Sequence, residues 1–540
     1  MASSGTRVVH ISAWQNKSRA MKLALILLIA AFTGGGTFAS AQQACETLIN
    51  VAAPGLQITS AALVSEGPFV LPNAAPETQP YVLPAFCRVA GVVTPEVRFE
   101  LWMPKQWNKK LLAVGNGGLA GSIAFGAMVK PLRRGYATSS TDTGHVGDST
   151  DGSWALGHYE RVFDFADRAV HVMAEADKII IRAYYGARPA HSYFNGCSQG
   201  GHEALIEAQR YPEDFDGIIA GDPANNWTRH YIGAHLWIAV ALNGDGYIPN
   251  SKVSLIAQAV NNACDALDGV KDGVLADPRR CHFDPASLLC IGADSPGCLT
   301  SAQVDAVKKI WAGPRTADGD QIYPGLLPGG EAGPGGWATW MTGNGPGTGL
   351  HSRLGIPFFK YIVFEDPNWD YKTFKFEGRD GFDGDIDFTD RKLGAIFNAT
   401  NPNLTAFKAR GGKLIQYHGW SDPDISPLNS VDYYESVVNL MGGKSVHGMS
   451  ETKDFYRLFM VPGMQHCGGG PGASIFDMVE PLEQWVEHDV PPEKVVASHA
   501  TDGKVDRTRP LCPFPQEAKW KRTGSTDDAS NFTCVLPDLR

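Results

Sequence analysis

The 540-residue sequence has no apolar run long enough to cross a bilayer as a helix, no internal repeat and no surplus of positive charge. Its uncharged stretch near the N-terminus, 23–32, is about half of the roughly 20 residues that a span requires. Lys and Arg number 47 against 57 Asp and Glu, a net charge of -10. The basic stripe that neutralises phosphates is therefore missing, and a nucleic-acid partner is excluded. Only 19% of residues are charged while 43% are hydrophobic, so neither a disordered chain nor a coiled coil fits. What the chain has in plenty is glycine, 60 residues, and proline, 35, which together imply many tight turns rather than a helical bundle.

Lys17, Arg19 and Lys22 precede the apolar run, and Ala39-Ser40-Ala41 follows it. This is the pattern of a secretory signal, with Met21 as a possible true start and a mature chain beginning near Gln42. The expected product is secreted or periplasmic and leaves the membrane once the signal is cleaved. Export makes disulfides allowable for the ten cysteines. Cys45 with Cys87, Cys264 with Cys281, Cys290 with Cys298 and Cys512 with Cys534 read as local staples, although spacing alone fixes no single pair. Cys197 and Cys467 remain, far apart in sequence.

Short runs rich in branched and aromatic residues at 97–103, 111–115, 135–140, 192–195 and 217–220 read as buried strands, with helical periodicity at 163–184 and 201–210 between them. Alternating strands and helices predict a parallel sheet covered on both faces. The pattern stops near Asp222 and resumes near Lys413 with two more apolar strands. The expected organisation is a leader at 1–41, a catalytic domain from 42–223 and 410–540, and an inserted lid domain at 224–409.

Gly196-Cys197-Ser198-Gln199-Gly200 fits G-x-S-x-G between a strand and a helix, the setting of a nucleophile elbow. Ser198 is the expected nucleophile, and the backbone N–H of Gln199 one expected oxyanion donor. Gly117 or Gly118, in the glycine turn after the Leu-Leu-Ala-Val strand, is the candidate for the second donor. A serine hydroxyl needs a base, and the base needs an orienting carboxylate. In this chain order Asp422 and His466, each in a glycine loop after a strand, take those roles. His418, His145 and His202 are rival bases and Asp222 a rival acid. A Cys197–Cys467 bridge would pin the nucleophile turn to the histidine loop.

The Gly-Cys-Ser-x-Gly-Gly run, the Asp-Pro-x-Ile-Ser-Pro run after His-Gly-Trp-Ser, and His-Cys-Gly-Gly together resemble the tannase and feruloyl esterase family. The resemblance covers nearly the whole mature chain. It implies an α/β-hydrolase fold with a large inserted lid, acting on esters of gallic, ferulic or related acids, and the family includes mono-hydroxyethyl terephthalate hydrolases. Asp265, Asp268 and Asp272, with the carbonyls of Val270 and Val274, offer hard oxygen ligands on a glycine-rich loop. The loop lacks the twelfth-position Glu of an EF-hand, and the resemblance implies that it holds a structural Ca²⁺. No organic cofactor is expected. Trp337, Trp340, Phe358, Phe359, Tyr361 and Trp369 are candidates for an aromatic acyl pocket, and Arg353 could pair with an acyl carboxylate. The sequence thus reads as a secreted aromatic-ester hydrolase acting on a small substrate. A serine peptidase and a non-catalytic, calcium-stabilised binding protein on the same fold are the alternatives. Nothing in the sequence marks an oligomeric state.

Overall fold

The structure, a computed structural model, describes residues 43–537 apart from 76, 317, 377–383, 444 and 445. The leader expected at 1–41 lies outside the described residues. Residues 41–540 form one compact unit.

Nine strands make the central sheet: β1 Leu56–Val64, β2 Phe86–Val93, β3 Val97–Pro104, β4 Lys110–Val114, β5 Ala137–Thr141, β6 His191–Cys197, β7 Gly217–Gly221, β8 Lys413–Gly419 and β9 Tyr456–Val461. Their spatial order is β1-β2-β3-β5-β4-β6-β7-β8-β9. The sheet is mixed rather than all parallel, because β1, β2, β3 and β5 run antiparallel to one another before the parallel run from β5 through β4 to β9 begins. The strand β1 has exposed positions and β2 half-buried ones, so neither forms a continuous buried apolar run.

The parallel strands are apolar at consecutive positions because both faces are covered. Side chains of a strand alternate between faces. Helix α1 Phe125–Arg133 joins β4 to β5 in the chain. Ala113, Phe194, Ile218, Leu414 and Leu458 pack on one side with helices α2 Ala169–Tyr185, α3 Gln199–Arg210 and α4 Pro427–Gly442. Their neighbours Leu112, Tyr193, Ile219, Ile415 and Phe459 point the other way, against Leu482 and Trp485 of α5 Val479–His488.

Strands β7 and β8 are hydrogen-bonded partners, Ile218 opposite Leu414, yet the whole insertion lies between them in sequence. Within it, Ile256, Val260, Val307, Ile310 and Trp337 form an apolar core of their own, and the helix Ser301–Ala312 starts on a Thr300/Gln303 capping box. A second group, Trp227, Tyr231, Leu354, Phe358, Phe359 and Phe397, packs with Trp154 and Phe165 of the sheet part. All five expected disulfides are formed. Two antiparallel ribbons, Val495–Thr501 with Lys504–Leu511 and Glu517–Trp520 with Phe532–Val535, end the chain. No described helix is long and apolar enough to cross a membrane.

Candidate active site

Ser198 stands between β6 and α3 with φ 66° and ψ −119°, a strained conformation for a residue with a side chain. The flanking glycines let the turn close. A Cβ on Gly196 would sit 2.3 Å from the Gly200 carbonyl oxygen, and one on Gly201 would sit 2.2 Å from that of Gly221. The turn presents Ser198 at the N-terminus of α3, where helical N–H groups point outward.

The loops after β8 and β9 meet beside it. His466 Nδ1 lies 2.9 Å from Asp422 Oδ2. The other Asp422 oxygen accepts the backbone N–H groups of Asp424 and Ile425 at 2.8 and 3.1 Å. Burial would push the Asp422 carboxyl up, but the His466 and His418 rings outweigh it and hold it at about 2. Burial likewise opposes charge on His466, and there Asp422, Asp424 and Asp222 prevail and raise its pKa. Among the described residues His466 Nε2 is buried and makes no hydrogen bond, with Asp424 Oδ2 3.7 Å away. The Cys197–Cys467 disulfide joins the two adjacent positions, Cα atoms 5.9 Å apart.

The rival groups have other partners. His418 is 3.2 Å from the same Asp422 oxygen, but its Nδ1 meets Ser430 Oγ at 2.7 Å and its Nε2 the Ile425 carbonyl at 3.0 Å. His145 bonds the Leu119 carbonyl and stacks on Trp154. His202 bonds the Phe397 carbonyl. Asp222 accepts N–H groups from Gly419 at 2.7 Å and Cys467 at 3.1 Å, so its hydrogen bonds brace the loops, while its nearest imidazole is that of His418, with Nε2 at 3.7 Å.

In the glycine turn after β4, three amides are engaged: Asn116 by Glu203 Oε2 at 3.0 Å, Leu119 by the Ser149 carbonyl and Ala120 by the Gly117 carbonyl. Among the described residues, the amides of Gly117 and Gly118 have no such acceptor. Gly118 has φ 57°, and a Cβ there would meet the Ser149 carbonyl oxygen at 2.5 Å. Glu203, fully buried behind this turn and pushed by burial up to about 8, was not anticipated, since a lone Glu in an amphipathic helix carries no signal of such a role.

The aromatic candidates divide. Trp340 lies edge-on to His466, ring centroids 4.8 Å apart. Trp337 is a correction: it is 1% exposed, within the core of the insertion beside Trp311, because a large ring at that helical turn is held by the insertion's own packing. Phe358 and Phe359 are buried in the second apolar group. Arg353 is exposed and donates to Thr150 Oγ1 at 3.3 Å.

In the acidic loop Asp265 Oδ1 accepts the N–H groups of Asp272 and Gly273, Asp268 that of Val270 and Asp272 that of Val274. Burial first, then repulsion by Asp272 and Asp265, pushes Asp268 up to about 6. Carboxylate and carbonyl oxygens on one loop are the donor type that a hard divalent cation takes. Arg507 and Arg509 of the C-terminal ribbon, at 3.4 and 2.5 Å from Asp272 Oδ2, supply positive charge there that the sequence did not foretell. Their partnership depends on a contact over more than 200 positions.

A mixed sheet, parallel through its centre, with a serine at a strand-to-helix turn and an Asp–His pair on later loops defines an α/β-hydrolase, and similarity to known proteins narrows the class. The family model for tannase and feruloyl esterase matches residues 82–535. An uncharacterized esterase of Xanthomonas campestris pv. campestris is 40% identical, over 95% of this chain and 94% of its own. The mono(2-hydroxyethyl) terephthalate hydrolase of Piscinibacter sakaiensis is 34% identical over 86% and 87%. The crystal structure of feruloyl esterase B from Aspergillus oryzae superposes with a TM-score of 0.80 at 27% identity, covering 91% of this chain and all of that one. The chain belongs to the tannase and feruloyl esterase family and is a carboxylic ester hydrolase.

Proposed function

We propose that the protein is an exported serine esterase that cleaves esters of aromatic acids, phenolic or terephthalic, through an acyl-enzyme. The observation that carries this reading is the Asp422–His466 pair with His466 Nε2 making no hydrogen bond among the described residues, its loop bonded through Cys467 to the neighbour of Ser198. His466 Nε2 takes the Ser198 proton as Oγ attacks the ester carbonyl. The oxyanion gathers the N–H of Gln199 and that of Gly117 or Gly118. Collapse of the tetrahedral adduct breaks the ester C–O bond, and the alcohol leaves with the proton from His466. Water, deprotonated by the same nitrogen, then releases the acid and restores Ser198.

Trp340 supplies an aromatic edge beside His466, which suits a planar acyl group, and Arg353 stands as the candidate for a distal acyl carboxylate. The relatives named for terephthalate and ferulate esters support an aromatic acyl substrate. Residues 224–409 serve as the lid, and Asp265, Asp268 and Asp272 with the carbonyls of Val270 and Val274 hold a structural Ca²⁺. The five disulfides support an oxidising compartment. A hydrolysis panel of methyl gallate, methyl ferulate, chlorogenate and mono-hydroxyethyl terephthalate tests the reading. Turnover of at least one, lost in Ser198→Ala, is expected. Turnover of none, or undiminished turnover by Ser198→Ala, overturns it.

A further inference from the structure

Beside the Asp–His pair lies a second cluster that the esterase chemistry does not require. Asp424 Oδ1 has His235 Nε2 at 3.0 Å, His351 Nε2 at 3.1 Å and His230 Nε2 at 4.0 Å. All four side chains are buried, exposed by 4% or less. They come from three separate segments. His230 caps the π-helical turn Tyr231–Leu236 and His235 lies within it, and the five-residue register of such a turn brings positions i and i+5 to one side. His351 belongs to the helix Leu350–Pro357, and Asp424 to the loop after β8, two residues beyond Asp422.

Hydrogen bonding alone accounts poorly for this arrangement. His351 makes no hydrogen bond through either ring nitrogen, although its Nε2 is 3.1 Å from a carboxylate oxygen, and the Nδ1 atoms of His230 and His235 are also unpartnered. A buried carboxylate faced by three imidazole nitrogens, one of them misaligned for donation, is costly unless a further group binds them together. Ligand atoms around a tetrahedral Zn²⁺ with bonds near 2.0–2.1 Å stand about 3.3 Å apart, and His235 Nε2 stands 3.0 Å from the Asp424 oxygen with His230 Nε2 at 4.0 Å. The ligating atoms of His230, His235 and Asp424 lie within 4.8 Å of one another.

We propose that His230, His235 and Asp424, with His351 beside them, form a site for a borderline divalent transition ion of the Zn²⁺ type. Imidazoles joined by a carboxylate select such an ion over Ca²⁺, which takes oxygen donors. Bound there, the ion fastens two segments of the insertion to the loop that carries Asp422. It acts as a clamp for the roof of the active site, held by the carboxylate whose other oxygen lies 3.7 Å from His466 Nε2.

The test is a Co²⁺ titration of the full-length mature protein after dialysis against dipicolinate, read by visible absorption, with circular dichroism as a check on folding. The wild-type protein should develop the intense d–d bands of four-coordinate Co²⁺, saturating at one equivalent and abolished by Zn²⁺. Asp424→Asn and His235→Gln should each weaken binding by more than about 10-fold, the least that loss of even an outer partner costs. Asp268→Asn, in the acidic loop, should leave the bands unchanged. Absence of the bands in folded wild-type protein overturns the proposal, whatever the variants do. So do bands of equal strength and affinity in both cluster variants.

Discussion

His466 and His418 approach the same oxygen of Asp422, at 2.9 and 3.2 Å, but only His466 keeps a ring nitrogen without a partner. That difference assigns them different work. His466→Ala should lower kcat/KM for an aromatic ester by at least ~10³-fold with the fold intact, as losses of a triad base do. His418→Gln should cost far less in the chemical step and show mainly as lowered melting temperature, because His418 holds Ser430 and the Ile425 carbonyl. Equal losses from the two variants would contradict the assignment. Single residues were the most legible scale. Ser198, His466 and Asp422 each follow an apolar strand and sit in a glycine turn, and that chemistry is local. Asp424 and the three histidines near it were invisible, since no sequence spacing relates 230, 235, 351 and 424. Glu203 escaped for the same reason: its partner, the Asn116 amide, lies 87 positions away.

At the scale of elements, the strand-to-helix turn and the histidine loop are joined by one disulfide and by Asp222, whose carboxylate receives the N–H groups of Gly419 and Cys467. Removing the bridge with Cys197→Ala/Cys467→Ala should lower kcat by about 10²-fold, the scale of an ångström's misplacement, while far-ultraviolet circular dichroism stays unchanged. Undiminished kcat would mean that Asp222 and packing suffice. The parallel strands were legible because both faces are apolar, so their runs are continuous. The edge strand β1 was not, since its exposed positions interrupt the run, and in β2 the half-buried Arg88, Ala90 and Val92 break it. The C-terminal ribbons are short and polar for the same reason, and only their stapling cysteines gave them away.

Across the whole molecule, two buried carboxyls set a pH dependence. Burial raises both Asp177 and Glu203 to about 8, well above the ~4 of an unfolded carboxyl. Between those values the folded chain holds protons that the unfolded chain has released, so their contribution to stability is full below about pH 4 and declines as pH rises toward 8. Glu203→Gln, which keeps an acceptor for the Asn116 amide, should therefore lose less melting temperature than the wild type between pH 5 and 9. An identical slope would show that Glu203 is not protonated in the fold. The acidic loop adds a second whole-molecule effect through its contact with Arg507 and Arg509 of the C-terminal ribbon. If Ca²⁺ joins that contact, EGTA should lower the melting temperature, and Asp268→Asn should abolish the response. The insertion was legible as an interruption, since the sheet signature stops after β7 and returns at β8. Its own packing was not, which is why Trp337 proved to be core and Trp340 a neighbour of His466.

The central claim is that Ser198 is the acyl-accepting nucleophile of an esterase. Treatment with a fluorophosphonate, followed by peptide mass mapping, tests it most directly. A single adduct on Ser198, accumulating in step with loss of aromatic-ester hydrolysis, is the predicted result. An adduct on another residue, or hydrolysis that persists once Ser198 is fully labelled, would contradict it.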